Sequence, residues 1–198
     1  MKTLPEEILL HARSLPEGGI VSPKVFLHLG SRSAIDQALS RLAREGKLLR
    51  IGRGSYVAPV TGSFGERPPA VSKVIQSLAS QNGEFVAPHG AIAANNLGLS
   101  RQVPVREAYV TSGRTREIRL GRLEILVKHA PGWVLALGNR PAGDAIRALD
   151  WLGPDMARKA LPVLRRKLPG GEWDALVAAR ACYPSWLARA IGEEVGNG

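Results

Sequence analysis

Arginines, serines and a glutamine at helical spacing are the side chains of this sequence best suited to chemistry, and the chemistry they suit is recognition rather than bond making. On a wheel turned about 100° per residue, Ile35, Ala38, Leu39 and Leu42 gather on one side of the segment, and Ser33, Gln37, Ser40 and Arg44 on the other. Arg41 and Asp36 border this polar stripe and Arg32 precedes it. Guanidinium, amide and hydroxyl groups on a face without apolar interruption can read base edges in a DNA groove or hold phosphates. Gln37 and Arg44 are the two expected to reach bases. Ser33 has a competing role, because Ser33 with Asp36 three residues later fits a capping box whose hydroxyl bonds the helix's own amides. Ser31 or Ser33 is expected to cap.

Those side chains require a helix that begins near the two serines and ends at Gly46, the left-handed residue that closes a helix. Beyond it, residues 47–59 predict two strands about a Gly52-Arg53-Gly54 tip that pushes Arg53 outward, with Lys47 and Arg50 beside it. Between positions 32 and 53, six basic side chains (Arg32, Arg41, Arg44, Lys47, Arg50, Arg53) face two acidic ones (Asp36, Glu45), a local charge of +4. Upstream, Ile8, Leu9, Ala12 and Leu15 predict a first helix over 4–15, ended by Pro16-Glu-Gly-Gly19. Ser22-Pro23 predicts a second that runs through Val25, Phe26 and Leu29. Three helices and a basic hairpin within 1–60 outline a winged helix-turn-helix, which lays one helix in the major groove and the hairpin on the backbone.

Composition agrees. The chain has 198 residues, 44% of them hydrophobic, and a net charge of +10, which attracts a polyanion. No apolar run approaches the roughly 18 residues of a membrane span, so no membrane partner is expected. Early acids and a proline at the N-terminus do not suit a secretory signal, and the expected location is the cytoplasm. Cys182 is the single cysteine, which excludes an intrachain disulfide and a cysteine zinc cluster and predicts a buried thiol. His11, His28, His89 and His129 lie far apart, and His89 is expected to cap or pack. Gly30-Ser31 begins like a nucleotidyltransferase site, but no Asp-x-Asp or Asp-x-Glu follows to hold Mg²⁺. Glu124 and Lys128 are too far apart for the acid-x-Lys of a restriction-type nuclease, and no zinc-protease, nucleophile-elbow or phosphate-loop motif occurs. The expectation is a protein without catalytic residues, metal or cofactor.

Residues 61–69 are turn-rich and predict a linker, with a second domain over 70–192. There the patterning predicts a helix from Val71 closed at Asn82-Gly83, a strand over 84–87, a helix over 90–97, and a strand over 105–111. Two strands about Gly121-Arg122 follow, completing a meander. Helices over 144–152, 154–168, 172–181 and 184–191 and a frayed tail over 192–198 complete an α+β protein with a small antiparallel sheet and a helical C-terminal half. Positions 101 to 128 hold seven basic residues against three acidic ones, again +4. Arg114, Arg116, Arg119 and Arg122 are therefore a candidate second basic surface, separate from the first hairpin. The four tryptophans are expected to pack in the core or at an interface.

Gln37-Ala-Leu-Ser-Arg-Leu-Ala-Arg-Glu-Gly46, Arg50-Ile-Gly-Arg-Gly-Ser-Tyr-Val57, Ala91-Ile-Ala-Ala-Asn-Asn-Leu-Gly-Leu99 and Val110-Thr-Ser-Gly113 together give a chain that resembles the AbiEi-type antitoxin family over most of its length. The resemblance implies an antitoxin of a bacterial type IV toxin-antitoxin system. Its winged helix would repress its own operon by binding double-stranded DNA at inverted repeats, with a dimer on DNA as one arrangement. Its C-terminal domain would oppose a nucleotidyltransferase toxin, with or without touching it. By residue match it carries DNA contact onto Gln37, Arg41, Arg44 and Arg53. Two alternatives stand beside it: a winged-helix regulator without a toxin, and an RNA-binding or protein-interaction module that uses the 114–122 hairpin.

Overall fold

The computed structural model describes residues 2–63, 65–102 and 106–196. It is a mixed α+β structure whose contacts define two compact units, Met1–Glu84 with Glu117–Ile125 and Phe85–Arg116 with Leu126–Gly198.

In the first unit, α1 (Leu4–Ser14), β1 (Ile20–Val21), a short 3₁₀ helix (Pro23–Phe26), α2 (Arg32–Arg44), β2 (Leu49–Gly52) and β3 (Ser55–Val57) follow in order. Ile35, Ala38, Leu39 and Leu42 of α2 are all buried, against Ile8 and Ala12 of α1, Val21, Phe26, Leu48 and Tyr56. Each large aliphatic side chain so buried contributes about 1.5–3 kcal/mol. The three strands pair antiparallel in the order β1-β3-β2, with Ile20 opposite Val57 and Leu49 opposite Val57 on the other edge.

Several sequence expectations give way here. The second helix is only a 3₁₀ turn that ends at Phe26, short of Leu29, and Val25 and Leu29 are exposed. Ser31 already caps the next helix, so the segment is too short to offset helix nucleation, and short segments favour i→i+3 bonding. The amide of Leu29 accordingly donates to the Phe26 carbonyl at 2.8 Å. The expected linker carries a hairpin of β4 (Val60–Gly62) and β5 (Gly65–Arg67), with Phe64 outside the described residues. Helix α3 (Val71–Asn82) falls within the first unit rather than opening the second. The cause is the Pro16–Gly19 turn: Glu17 accepts from the Ala70 amide at 3.0 Å and pairs with Arg67 at 3.1 Å and Lys73 at 2.5 Å. Gly18 has φ +82, and a Cβ there would stand 2.7 Å from the Lys73 carbonyl carbon. Only glycine lets the turn approach the α3 backbone that closely.

In the second unit, β6 (Val86–Pro88), α4 (Gly90–Asn96) and β7 (Ala108–Thr111) precede β8 (Arg116–Leu120) and β9 (Leu123–His129), whose residues 117–125 belong to the first unit. The Val105 start expected for β7 lies outside the described residues. The strand order is β6-β7-β9-β8, with β9 parallel to β7, so the sheet is mixed and not a meander. β9, with Leu123, Ile125, Leu126 and Val127 around Glu124, is the more apolar strand and holds the inner position, whereas β8 alternates Glu117 and Arg119 with buried Ile118 and Leu120 and suits an edge.

The helical remainder is α5 (Gly132–Leu135), α6 (Pro141–Lys167), α7 (Glu172–Ala178), a 3₁₀ turn (Ala179–Cys182) and α8 (Ser185–Gly196). The two expected helices around Gly153 join as α6 across a kink at that glycine, φ 73. Helix α8 continues through most of the expected tail because Leu187, Ala190 and Ile191 are buried and Glu194 pairs with Arg165 at 3.8 Å. Cys182 is exposed, not buried; the inward place is taken by the next residue, Tyr183, whose hydroxyl donates to the Leu176 carbonyl at 3.1 Å. Trp133, Trp173 and Trp186 pack against this core and Trp151 against the α4–α6 contact. Among the described residues no helix is long and apolar enough to cross a membrane.

Candidate nucleic-acid interface

Helix α2 starts at a serine, and it is Ser31. Its backbone is extended at φ −65, ψ 151, and its hydroxyl accepts from the Ala34 amide at 3.2 Å. Ser33 is already inside the first turn, so the Ser33–Asp36 capping box does not form. Asp36 instead takes the Arg32 guanidinium at 3.0 Å, one turn away. Ser33 is thus an exposed hydroxyl of the polar face. Gly46, at φ +75, ends the helix as the sequence required.

Burial of the Ile35 stripe turns the other face outward: Arg32, Ser33, Gln37, Ser40, Arg41 and Arg44 are all exposed. They line one wide, open concavity of about 990 Å³, with Leu4 and Pro5 at its margin. A shape that open suits an extended partner better than an enclosed small molecule.

The cations on this face are not equivalent. Arg32 is held by Asp36, and Glu45 is shared between Arg41 at 3.9 Å and Lys47 at 2.8 Å. The hydrogen bond from Lys47, then the charges of Arg41 and Arg44, hold the Glu45 carboxyl below its ordinary value. Arg44 and Arg53 have no ion pair among the described residues. Those two guanidiniums are free to meet an anion without first leaving a carboxylate.

Beyond α2, Leu49 to Val57 form the basic hairpin. Gly54 supplies the left-handed turn residue at φ +67, and Arg53 stands exposed at the tip. The Nε of Arg50 donates to the Gly52 carbonyl at 3.3 Å, which holds its stem along β2. Lys47 is drawn elsewhere: it lines a separate hollow of about 360 Å³ with Arg13, Glu17 and Glu66. The nine residues expected to contact DNA therefore divide into six on the α2 face, Arg50 and Arg53 on the hairpin, and Lys47, which pairs with Glu45 and lines the second hollow.

The four arginines expected to form one second surface are also divided. Arg119 and Arg122 belong to the first unit, Arg114 and Arg116 to the second. Arg119 pairs with Glu124 at 3.4 Å. Nothing in the local pattern of 116–129 could reveal which unit would receive the hairpin.

His89 behaves as the sequence anticipated: it is the N-cap of α4, and its Nδ1 accepts from the Ala91 amide at 3.2 Å. Burial, then the Lys128 charge, lowers its pKa, and Asp150 opposes them; burial raises that of Asp150. Among the described residues no group of three or more His, Cys, Asp or Glu side chains is arranged to hold a metal ion.

A family model described as "Family of unknown function (DUF6088)" matches residues 7–164. The chain belongs to this family. The DUF6088 match begins within α1, takes in α2, the basic hairpin and the β8–β9 hairpin, and ends within α6. Comparison with curated proteins and with solved structures gives no match.

Proposed function

We propose that this DUF6088 protein is a DNA-binding transcriptional regulator, not an enzyme, whose first unit is a winged helix. The observation that carries the reading is the pairing of an outward α2 face bearing Gln37, Arg41 and Arg44 with a glycine-tipped hairpin bearing Arg53. The helix is sized for the major groove, about 12 Å wide, and the hairpin supplies phosphate contacts that position the helix without reading sequence. The strand order β1-β3-β2 behind α2 supports the same reading, because it ties the hairpin to the helix's own core.

The protein's cytoplasmic role is that of an autorepressor and antitoxin opposing a nucleotidyltransferase toxin. What supports the antitoxin half is the resemblance of the 37–57, 91–99 and 110–113 segments to AbiEi-type antitoxins. A reporter driven by the promoter of the protein's own gene tests the first half: wild type represses it and Arg44→Ala relieves repression. Co-expression with the neighbouring gene tests the second. Undiminished growth arrest by that gene, with repression intact, would leave a regulator without a toxin; an unrepressed reporter would defeat the DNA-binding reading.

A further inference from the structure

The β8–β9 hairpin carries a second arginine tip into the unit that holds α2. Residues Glu117–Ile125 pack with Met1–Glu84. Ile118, Leu120 and Ile125 are buried, while Glu117, Arg119 and Arg122 are exposed. Glu117 and Arg119 share with Arg50, Ile51 and Gly52 an open cleft of about 400 Å³. Both flanking strands, β2 and β8, are sheet edges. Gly121 turns the second hairpin at φ +62 as Gly54 turns the first at φ +67. Each glycine neighbours an exposed arginine, Arg53 or Arg122, with no ion pair among the described residues.

We propose that the β8–β9 hairpin is a second DNA-contacting hairpin of the first unit, an inference that rests on the DNA-binding reading of α2. Arg122 takes one backbone phosphate as Arg53 takes another, and Arg50 and Arg119 grip a third from two sides of their cleft. The Nε of Arg50 is occupied by the Gly52 carbonyl, and its terminal nitrogens have no partner among the described residues. The Arg119–Glu124 pair has side chains 73% and 50% exposed, and such a pair resists exchange for a phosphate only weakly. Duplex DNA is the occupant because its phosphates recur about every 1.7 Å along the axis. Separate guanidiniums on neighbouring hairpins can each find one, whereas an acidic protein would need carboxylates matched to each position. Glu117 stands on the same cleft wall and opposes an anion there, which provides a change of opposite sign.

The test uses the full-length protein, fluorescence anisotropy, and salt titrations with its promoter duplex and an unrelated duplex of equal length. Arg122→Ala is expected to reduce the slope of log affinity against log salt by roughly 0.9 on both duplexes, and Arg119→Ala, whose phosphate Arg50 still holds, to reduce it by less. Glu117→Gln is expected to tighten both. Arg158→Ala, at an exposed residue of the second unit, is the charge-matched control and should leave the slope unchanged. Wild-type slopes for Arg119→Ala and Arg122→Ala, alongside a reduced slope for Arg53→Ala, would overturn the second hairpin alone. An equal loss in the control would reduce the effect to net charge and overturn it as well. No salt-dependent binding by the wild type would defeat the reading beneath it. Binding of an acidic polypeptide, but not duplex, at the Arg119–Arg122 hairpin would refute the choice of partner.

Discussion

Arg44→Ala should cost DNA binding more than any other single truncation on the α2 face. Its guanidinium is exposed and has no described carboxylate partner, so in the free protein its loss changes stability by no more than about 0.5 kcal/mol. In the complex a bidentate contact to a base is worth about 1–3 kcal/mol of discrimination, or roughly 5- to 150-fold in affinity at about 1.4 kcal/mol per tenfold. Arg32 and Arg41 must first leave Asp36 and Glu45, exposed pairs worth roughly 0–1 kcal/mol each. Their alanine variants should therefore lose correspondingly less. Anisotropy titrations with the promoter duplex and an unrelated duplex, with thermal melts to establish folding, measure both terms. Arg44→Ala that melts like wild type and retains both affinity and preference would refute the reasoning.

The structure makes three further predictions about what holds the interface and its neighbours together. Ser31→Ala should lower stability by about 1 kcal/mol through loss of the α2 cap, whereas Ser33→Ala should change it little; a denaturation midpoint shifted by the second variant instead would restore the capping box. Glu17 is held down at about 2 from an ordinary 4.5, first by Lys73, then by the Ala70 amide and Arg67. A depressed carboxylate stabilises fully above 4.5 and loses its effect as pH falls toward 2, so the gap in urea midpoint between wild type and Glu17→Gln should be present at pH 7 and close across that window. A gap that persisted unchanged at pH 2 would contradict the linkage. Gly90→Ala would drive a Cβ into the Arg147 carbonyl oxygen and place it 2.6 Å from the Trp151 Cβ, and overpacking of that kind costs about 1–3 kcal/mol. An unchanged melting temperature would show that α4 can move off α6 freely.

What was legible in the sequence was what neighbouring residues decide. Ile35, Ala38, Leu39 and Leu42 announce the buried face of α2, and with it the outward set around Gln37 and Arg44. Gly46, Gly54 and Gly121 announce their turns, because a positive φ is a local requirement. The rest depended on distant partners. Glu17 and Gly18 look like a helix terminator, yet they dock α3 fifty residues later. Ser33–Asp36 satisfies a local capping pattern that fails because Ser31 takes the cap, leaving Asp36 to pair with Arg32. β9 belongs beside β7 because it is the more apolar strand, a comparison that sequence adjacency obscures. Arg119 and Arg122 form a continuous basic run with Arg114 and Arg116 only along the chain, and the fold divides them.

The central claim is that α2 reads duplex DNA, and equilibrium binding of full-length protein to three equal-length probes tests it most directly: its promoter duplex, an unrelated duplex and an RNA. The expected result is tightest binding to the promoter duplex, weaker and strongly salt-dependent binding to the unrelated duplex, and a promoter preference that Arg44→Ala abolishes. Equal affinity for all three probes, or a preference that survives Arg44→Ala intact, would contradict it.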